Sequence, residues 1–306
     1  MMKNVLPKWF NGAMGALFLL LNTAFWGVII LCLGVIKGGL RIKSISVLLH
    51  WAYHKWCISN RIGLKLGGVS MQVSIPQTVS VDGWYLLVCN HISWLDIVVL
   101  SAQAQLPAPK FFLKDELKYV PLIGTGAWAL DMPFMKRASK AQIAKNPKLK
   151  RMDVERTKQS CKNFKHHPTT VINFAEGTRF TAQKHQRQAS PFDKLLKPKA
   201  GGTAFALDVL SEQVDGLLNT VLVYHSADPH ICRAFIFGRL EAVSMQVDYI
   251  PINELPLGDY QADKSYRVAF QAYMNTLWQH KAAQIKDLEQ HSHDQTDKYP
   301  SEVNSL

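Results

Sequence analysis

YLLVCNHISWLD, residues 85–96, joins the pattern of a buried strand to a polar corner and the start of a helix. The apolar run 85–89 predicts a strand, Asn90 and His91 predict a loop at its end, and the segment from Ser93 predicts a helix. In α/β sheets, functional side chains collect in the loops beyond the carboxyl ends of the strands. We therefore expect the polar residues of this corner to belong to a functional site.

Short apolar strands and helices alternate along the rest of the chain. Strands are predicted at 71–75, 110–113, 132–135, 170–175, 220–225 and 234–237, and helices at 93–104, 124–130, 151–165, 201–210 and 265–290. Because this alternation is typical of α/β proteins, residues 63–290 are predicted to form one α/β sheet domain. Residues 291–306 lack apolar periodicity, which predicts a disordered tail.

His91 and Asp96 are the candidate catalytic pair of this corner. On one continuous helix, their spacing corresponds to a rotation of about 500°, so the two side chains would diverge by about 140°. If His91 lies in the loop and Asp96 inside the helix, the carboxylate can hold one imidazole nitrogen and leave the other as a general base. The sequence contains no Gly-x-Ser-x-Gly motif, so the attacking hydroxyl would come from the substrate. The alternative is that Ser93 and Asp96 form a capping box that only starts a helix.

The N-terminal region has the pattern of a membrane anchor. Residues 13–36 contain no charged side chain and are long enough to cross the hydrocarbon core of a bilayer. A cleaved signal peptide is less consistent, because the run is long and residues 37–43 lack an Ala-x-Ala site. Residues 45–58, with two Trp beside basic side chains, predict an amphipathic helix in the headgroup region, with an ordinary core helix as the alternative. Residues 1–62 are thus predicted to form a two-helix membrane unit.

Charge and cysteine content predict where the domain lies. Five basic residues follow the apolar run closely and two precede it, which favours a cytoplasmic location under the positive-inside rule. The five cysteines are odd in number and scattered, which argues against a disulfide framework or a zinc site and favours a reducing compartment. We therefore expect the domain on the cytoplasmic face of the membrane.

Most of the net charge of +12 lies in one basic insert, residues 136–165, which holds eleven basic and two acidic residues. Such a segment fits an anionic partner: lipid headgroups, a phosphorylated substrate, an acidic carrier protein or nucleic acid. A merely solvated loop is the alternative. The insert's one aromatic residue is Phe164, which leaves no stacking platform, so no nucleic-acid partner is expected.

A second polar corner follows the predicted strand 170–175. Gly177 permits a tight turn, Thr178 offers a hydroxyl, and Arg179 carries a forked guanidinium that can bind a phosphate through two hydrogen bonds. If both corners lie at the carboxyl ends of neighbouring strands, they face one cleft.

Asn90-His91-x4-Asp96 and Phe174-Ala-Glu-Gly-Thr-Arg179, in this order and some 80 residues apart, resemble the glycerolipid acyltransferases of the 1-acylglycerol-3-phosphate acyltransferase family. Residues 124–137 resemble the family's second block, which would end at Arg137. WALDMPFMKR (128–137), the basic insert and LLKPKAGG (195–202) are similar to the YihG-type bacterial branch, in the same subgroup as the lysocardiolipin acyltransferases.

The resemblance implies a function and a role for each matching residue. His91 would deprotonate the acceptor hydroxyl, and Asp96 would orient the His91 ring. The acceptor's glycerol phosphate would be held by Arg137, Glu176, Gly177, Thr178 and Arg179. The donor would be an acyl thioester on coenzyme A or acyl carrier protein, and the acceptor a lysophospholipid such as lysophosphatidic acid or a lysophosphatidylglycerol-type lipid. Neither a metal nor a bound cofactor would be needed, and the fold would be the family's αβ domain on an N-terminal two-helix membrane unit.

Two departures from the family pattern lie where the acceptor would bind. Ala175 stands where a Pro usually precedes Glu-Gly-Thr, and the fourth block, 221–224, lacks its usual Pro. Two other functions fit part of the sequence: a membrane-anchored protein that binds nucleic acid or anionic lipid without catalysis, and a thioester or lipid hydrolase of the same fold. A lysolipid-dependent product would distinguish transfer from both.

Overall fold

The computed structural model describes residues 7–40, 43–111, 113–120, 123–132, 134–135, 155, 167–260 and 262–298. Arg137 lies outside these ranges, and so do the basic insert and the helix predicted at 151–165, apart from Glu155. Residues 299–306 of the predicted tail also lie outside them.

The described chain alternates helices with strands, as predicted. The helices are α1 Lys8–Leu40, α2 Lys43–Leu66, α3 Leu95–Ser101, α4 Ile123–Ala129, α5 Ala182–Gln188, α6 Ala200–Leu210, α7 Ile231–Ile236 and α8 Lys264–Lys298. The strands are β1 Ser70–Ser74, β2 Trp84–Cys89, β3 Pro109–Phe111, β4 Leu113–Lys114, β5 Phe134–Met135, β6 Thr169–Phe174, β7 Gly216–His225 and β8 Ala242–Pro251.

Six strands form one mixed sheet in the order β1-β8-β7-β2-β6-β3, and β4 pairs with β5 separately. All neighbours in the large sheet are parallel except β7 and β8, which are antiparallel. β2 lies between β6 and β7 and is parallel to both. The carboxyl ends of these three strands therefore meet at one edge of the sheet, where both polar corners emerge.

The residues of β2 alternate between the two faces of the sheet, and both faces are covered. Leu86 and Val88 belong to a core cluster with α6 and α8. Tyr85, Leu87 and Cys89 belong to a second cluster with α3 and α7. A central parallel strand buried on both faces reads as a continuous apolar run, which explains the sequence LLVC.

α1 and α2 pack closely against each other and run antiparallel. A β-carbon at Gly15 would lie 2.6 Å from Gly67, so the two backbones touch there. Further along the pair, Asn22 donates to Oδ1 of Asn60 at 2.9 Å, and Trp56 donates to Thr23 at 3.1 Å. The predicted helices at 13–36 and 45–58 thus lie within one longer helical hairpin.

Within the described ranges, one helix, Lys8–Gly38, is long and apolar enough to cross a membrane. In its most apolar 18-residue window, 11% of the residues are buried. Large apolar side chains stay exposed on both helices of the hairpin: Trp9, Leu17, Leu20, Leu21, Phe25, Val28 and Val35 on α1, and Val47, Leu48, Trp51 and Ile62 on α2. An apolar surface of this extent is typical of a membrane-facing element.

The predicted strand at 234–237 was wrong, because most of this segment lies in α7. A run of four apolar residues has no periodicity that separates a strand from a buried helix. Asp228 favours the helix by accepting the His230 backbone N–H at 2.9 Å and pairing with Arg233. The sequence prediction also missed β8, whose polar residues alternate with apolar ones, and it joined β3 and β4, which belong to different sheets.

The predicted disordered tail starts too early. α8 continues to Lys298, so residues 291–298 are helical rather than irregular. This segment has no apolar periodicity, but it also contains no Gly or Pro before Pro300 to end the helix.

Candidate active site

Asn90 fixes the end of β2 to the neighbouring strand. Its side-chain amide donates to the Leu222 carbonyl at 2.9 Å, and its Oδ1 accepts the Leu222 N–H at 2.9 Å. The side chain thereby extends the β2–β7 pairing by one step beyond the backbone ladder. His91 therefore leaves the sheet from a defined point.

His91 and Asp96 lie together, with His91 in the loop and Asp96 inside the first turn of α3. Nδ1 of His91 is 2.7 Å from Oδ2 of Asp96. The Asp96 side chain is completely buried, whereas 17% of the His91 side chain is exposed. Because a carboxylate only accepts, Nδ1 carries the proton in this hydrogen bond, and Nε2 is left as the basic nitrogen.

Asp96 also closes the loop that carries His91. Its Oδ2 accepts the backbone N–H groups of Ile92 at 2.8 Å and Ser93 at 3.1 Å, while Ser93 Oγ accepts the Leu95 N–H at 3.2 Å. The same carboxylate thus holds both His91 and the loop backbone. A full capping box is not formed, because Ser93 Oγ accepts from Leu95 and Trp94, the residue before α3, makes no side-chain cap hydrogen bond. Since α3 begins only at Leu95, the predicted start at 93 was two residues early.

Tyr224 forms a hydrogen bond with the second carboxyl oxygen of Asp96. Its hydroxyl donates to Oδ1 of Asp96 at 2.6 Å. Burial and the neighbouring Asp96 charge raise the pKa of Tyr224 well above its usual value, so the phenol keeps its proton and remains a donor. No sequence motif predicts a role for this residue. Its one sequence signal is its place at the end of the 221–224 block.

The two polar corners touch each other. The His91 ring stacks on Phe174, with centroids 4.0 Å apart and planes at 17°. The Phe180 N–H donates to the His91 carbonyl at 2.7 Å. The guanidinium carbon of Arg179 lies 4.9 Å from the ring centroid of Trp94, which is 60% exposed. These contacts place the loop after β6 beside the candidate base.

The loop 176–179 turns at Gly177, whose φ of +69° favours glycine. A β-carbon at this position would lie 2.9 Å from Lys199 Nζ. Lys184 Nζ donates to Thr178 Oγ1 at 2.8 Å and to the Arg179 carbonyl at 2.9 Å. The loop therefore carries the positive charge of Arg179 and has two further positive side chains, Lys184 and Lys199, beside it. Neither lysine was predicted from the sequence to contribute to the site.

Glu176 lies apart from this surface. Its side chain is completely buried, and neither carboxyl oxygen has a hydrogen bond of normal geometry to a described residue. Burial raises the pKa of Glu176 to about 8, against opposing effects of the Leu196 backbone and the Lys281 charge. At neutral pH the group is mostly an uncharged acid. It is placed to shape the loop from inside.

Glu176→Gln should flatten the dependence of stability on pH. The folded state keeps a proton on Glu176 up to about pH 8, whereas the unfolded chain loses it near the ordinary value of 4.5. The stabilisation from this group is therefore complete below about pH 4.5 and is lost as pH rises through 8. Urea unfolding in detergent at pH 5 and at pH 8 should show the wild type losing stability relative to Glu176→Gln, by an amount on the order of a few kcal/mol.

Glu212→Gln is the matched control, because this carboxyl is exposed on the surface. Its stability curve should follow the wild type. Parallel curves for Glu176→Gln and the wild type would mean that Glu176 is ionised in the folded state.

Among the described residues, no group of three or more His, Cys, Asp or Glu side chains lies close enough to hold a metal ion. The described cysteines Cys32, Cys57, Cys89 and Cys232 are free thiols.

The family model and the related proteins that match this chain are all acyltransferases. Residues 70–229, a little over half of the chain, match the family model described as Acyltransferase. The 1-acyl-sn-glycerol-3-phosphate acyltransferase delta of Bos taurus is 25% identical over 314 residues, covering 92% of this chain and 77% of the relative. The gamma enzyme of Homo sapiens is 25% identical over 231 residues. The match covers 71% of this chain and 55% of that protein, so the chain spans about half of its length.

The fold has a solved counterpart. The crystal structure of the 1-acyl-sn-glycerophosphate (LPA) acyltransferase, PlsC, from Thermotoga maritima matches with a TM-score of 0.50 at 16% sequence identity. The match covers 89% of this chain and 98% of that one. At this identity the likeness establishes the shared α/β fold, as the sequence predicted.

Proposed function

The chain belongs to the acyltransferase family, and we propose that it moves a fatty acyl group from an acyl thioester to the free hydroxyl of a lysophospholipid in phospholipid biosynthesis. The observation that carries this proposal is the 2.7 Å contact in which buried Asp96 holds Nδ1 of His91 and leaves Nε2 for a substrate. The names of the relatives support lysophosphatidic acid as the acceptor. A lysophosphatidylglycerol-type lipid is the second candidate. The thioester is carried by coenzyme A or acyl carrier protein.

In the proposed reaction, the acceptor hydroxyl attacks the thioester carbonyl carbon while Nε2 of His91 takes its proton. Asp96 accepts Nδ1–H and stabilises the imidazolium that forms. The tetrahedral intermediate then breaks its C–S bond, and the imidazolium returns the proton to the leaving thiolate. The products are an ester and a free thiol. Because the Ile92 and Ser93 amides already donate to Asp96, the oxyanion needs donors from elsewhere in the cleft.

The acceptor phosphate is proposed to bind at the loop formed by Gly177, Thr178 and Arg179, beside the His91 ring. The stacking of Phe174 on His91 and the contact of Arg179 with Trp94 support this placement. Arg137 keeps its proposed role from the family resemblance. The narrower similarity to the YihG-type branch likewise stays a prediction from residues 128–137 and 195–202.

Residues 1–62 are proposed to anchor the catalytic domain, residues 63–290, at the cytoplasmic face of the inner membrane. The exposed apolar side chains of α1 and α2 support this arrangement, because they would otherwise face water. Such an anchor keeps the domain beside its lysolipid acceptor. No nucleic-acid partner, metal or bound cofactor is part of the proposal.

Arg179→Lys should weaken acceptor binding more than donor binding. A guanidinium can bind a phosphate through two parallel hydrogen bonds, and a lysine cannot. We expect the apparent KM for a phosphate-bearing lysolipid to rise by an amount equivalent to about 1–3 kcal/mol, while the KM for the thioester stays nearly constant. Steady-state kinetics with each substrate varied in turn measures the two constants.

Arg187→Lys is the matched control, because Arg187 is an exposed arginine on the neighbouring helix α5. It should leave both KM values unchanged. The competing interpretation is that Arg179 packs on Trp94 only to hold the loop. In that case Arg179→Lys would lower the melting temperature and shift both KM values together.

The test of the proposed function is a substrate panel. Purified protein in detergent is incubated with acyl-coenzyme A or acyl carrier protein thioester and one lysolipid at a time, and the products are identified by mass spectrometry. We expect a diacyl lipid that forms only with a lysolipid, most rapidly with lysophosphatidic acid. Free fatty acid formed without any lysolipid would instead assign a hydrolase, and salt-sensitive nucleic-acid binding without transfer would assign a binding protein.

A further inference from the structure

Lys281 is a charged residue that the proposed mechanism does not use. It lies within α8, is completely buried and ranks among the largest fully buried side chains. Its ammonium donates to the Thr220 carbonyl at 2.6 Å and to the Val88 carbonyl at 3.1 Å. Burying an amine costs free energy, and this burial lowers the pKa of Lys281 to about 8. A costly side chain at one defined point calls for a specific role.

The two acceptors lie beside the carboxyl end of β2, at the middle of β7. Val88 is two residues before Asn90 in β2, and Thr220 is paired with Cys89 in the β2–β7 register. One ammonium therefore joins two adjacent strands just below the loop of His91. On the same strands, Asn90 makes the second such link through its paired hydrogen bonds to Leu222.

The surroundings of the ammonium come from α8 itself, three strands and the loop after β6. Its two hydrogen bonds go to backbone carbonyls, and the Trp278 ring centroid of α8 lies 5.3 Å away. The titratable groups that face it are Cys89 on β2, Asp248 on β8 and Glu176 after β6. Lys281 thus donates hydrogen bonds to β2 and β7, and its charge faces the carboxyl of Glu176 in the loop after β6.

We infer that Lys281 is a positioning residue of the active site, which rests on the function proposed above. By holding the end of β2 against the middle of β7, it fixes His91, which follows β2, relative to Tyr224, which lies further along β7 and donates to Asp96. An apolar residue of similar length would leave two carbonyls aimed at a group that cannot donate. The strand ends would then relax, and small displacements of a catalytic base reduce turnover strongly.

The test compares Lys281→Met, which removes the donors, with Lys281→Gln, which keeps a neutral donor. Met274→Ala is the matched control, because Met274 is also fully buried on α8 but belongs to the apolar core cluster. At a temperature where the folded fraction of each variant is known from melting, we expect kcat in the order wild type, Lys281→Gln, Lys281→Met, with a loss of about 10- to 100-fold for the last. KM for both substrates should stay within about twofold, and Met274→Ala should keep kcat within about twofold.

Hydrogen exchange measured by mass spectrometry gives a readout that does not depend on activity. Lys281→Met should increase exchange in peptides covering 86–96 and 219–225, and Met274→Ala should not. Equal kcat losses in Lys281→Met and Met274→Ala, or no loss in either, would overturn the positioning role. If Lys281→Met does not fold, Lys281→Gln decides: a lowered kcat with unchanged KM supports the role, and an unchanged kcat with earlier melting contradicts it. If the wild type acylated no lysolipid, the proposed function would be refuted. If Lys281→Met left hydrogen exchange in the 86–96 peptides unchanged, only the positioning role would be refuted.

Discussion

His91→Ala should reduce acyl transfer by about 10²–10⁴-fold while the protein remains folded. The substitution removes the imidazole that takes the acceptor proton. The loop itself should persist, because Asp96 still accepts the Ile92 and Ser93 amides and the Phe180 N–H still reaches the carbonyl of residue 91. The measurement is kcat with saturating thioester and lysolipid, together with thermal melting of the same preparation.

His280→Ala is the control for this experiment, since His280 is a mostly exposed histidine on α8. It should transfer acyl groups at the wild-type rate. If His91→Ala also retained wild-type turnover, the imidazole would have no catalytic role, and the geometry at Asp96 would be purely structural.

Asp96→Asn should cause a loss of similar size, although it keeps the shape of the site. The backbone amides of Ile92 and Ser93 need an acceptor, so the asparagine oxygen should occupy the Oδ2 position and its amide should face the Tyr224 hydroxyl. His91 can still donate from Nδ1, but no negative charge remains to stabilise its imidazolium. We therefore expect kcat to fall by about 10²–10⁴-fold, with a small change in melting temperature.

Ser93→Ala separates this effect from the loop hydrogen bonds that precede α3. It removes the hydroxyl that accepts the Leu95 N–H but leaves the His91–Asp96 contact intact. Loss of this hydrogen bond costs about 1 kcal/mol of stability, and transfer should continue at nearly the wild-type rate. Should Asp96→Asn behave like Ser93→Ala in both melting and kcat, Asp96 would serve only to start α3.

The local part of the site was predictable because it depends on neighbouring residues. The five-residue spacing of His91 and Asp96 excludes contact on one helix, so contact required a loop followed by a helix, which is the observed arrangement. The contribution of Tyr224 was not predictable in this way. Its contact with Asp96 depends on β7 pairing beside β2, more than 120 residues further along the chain.

The orientation of Glu176 and the role of Lys281 were also beyond the sequence. Glu176 belongs to a polar motif, but its carboxyl faces the core between the sheet and α8 rather than the cleft. Lys281 looks like an ordinary surface residue of a long helix, and only the sheet beneath it shows that its amine is buried. The strand prediction for 234–237 was wrong for a different reason. Four apolar residues fit a strand and a buried helix equally well.

The most direct test of the central claim is the ratio of thiol released to diacyl lipid formed. Wild-type protein is incubated with acyl-coenzyme A, with and without lysophosphatidic acid, while intact-mass spectrometry monitors the protein. Direct attack by the lysolipid hydroxyl with His91 as base predicts one thiol per diacyl product, almost no thiol release without lysolipid, and no acylated protein. Steady thiol release without lysolipid, or a protein mass increased by one acyl group, would contradict this mechanism.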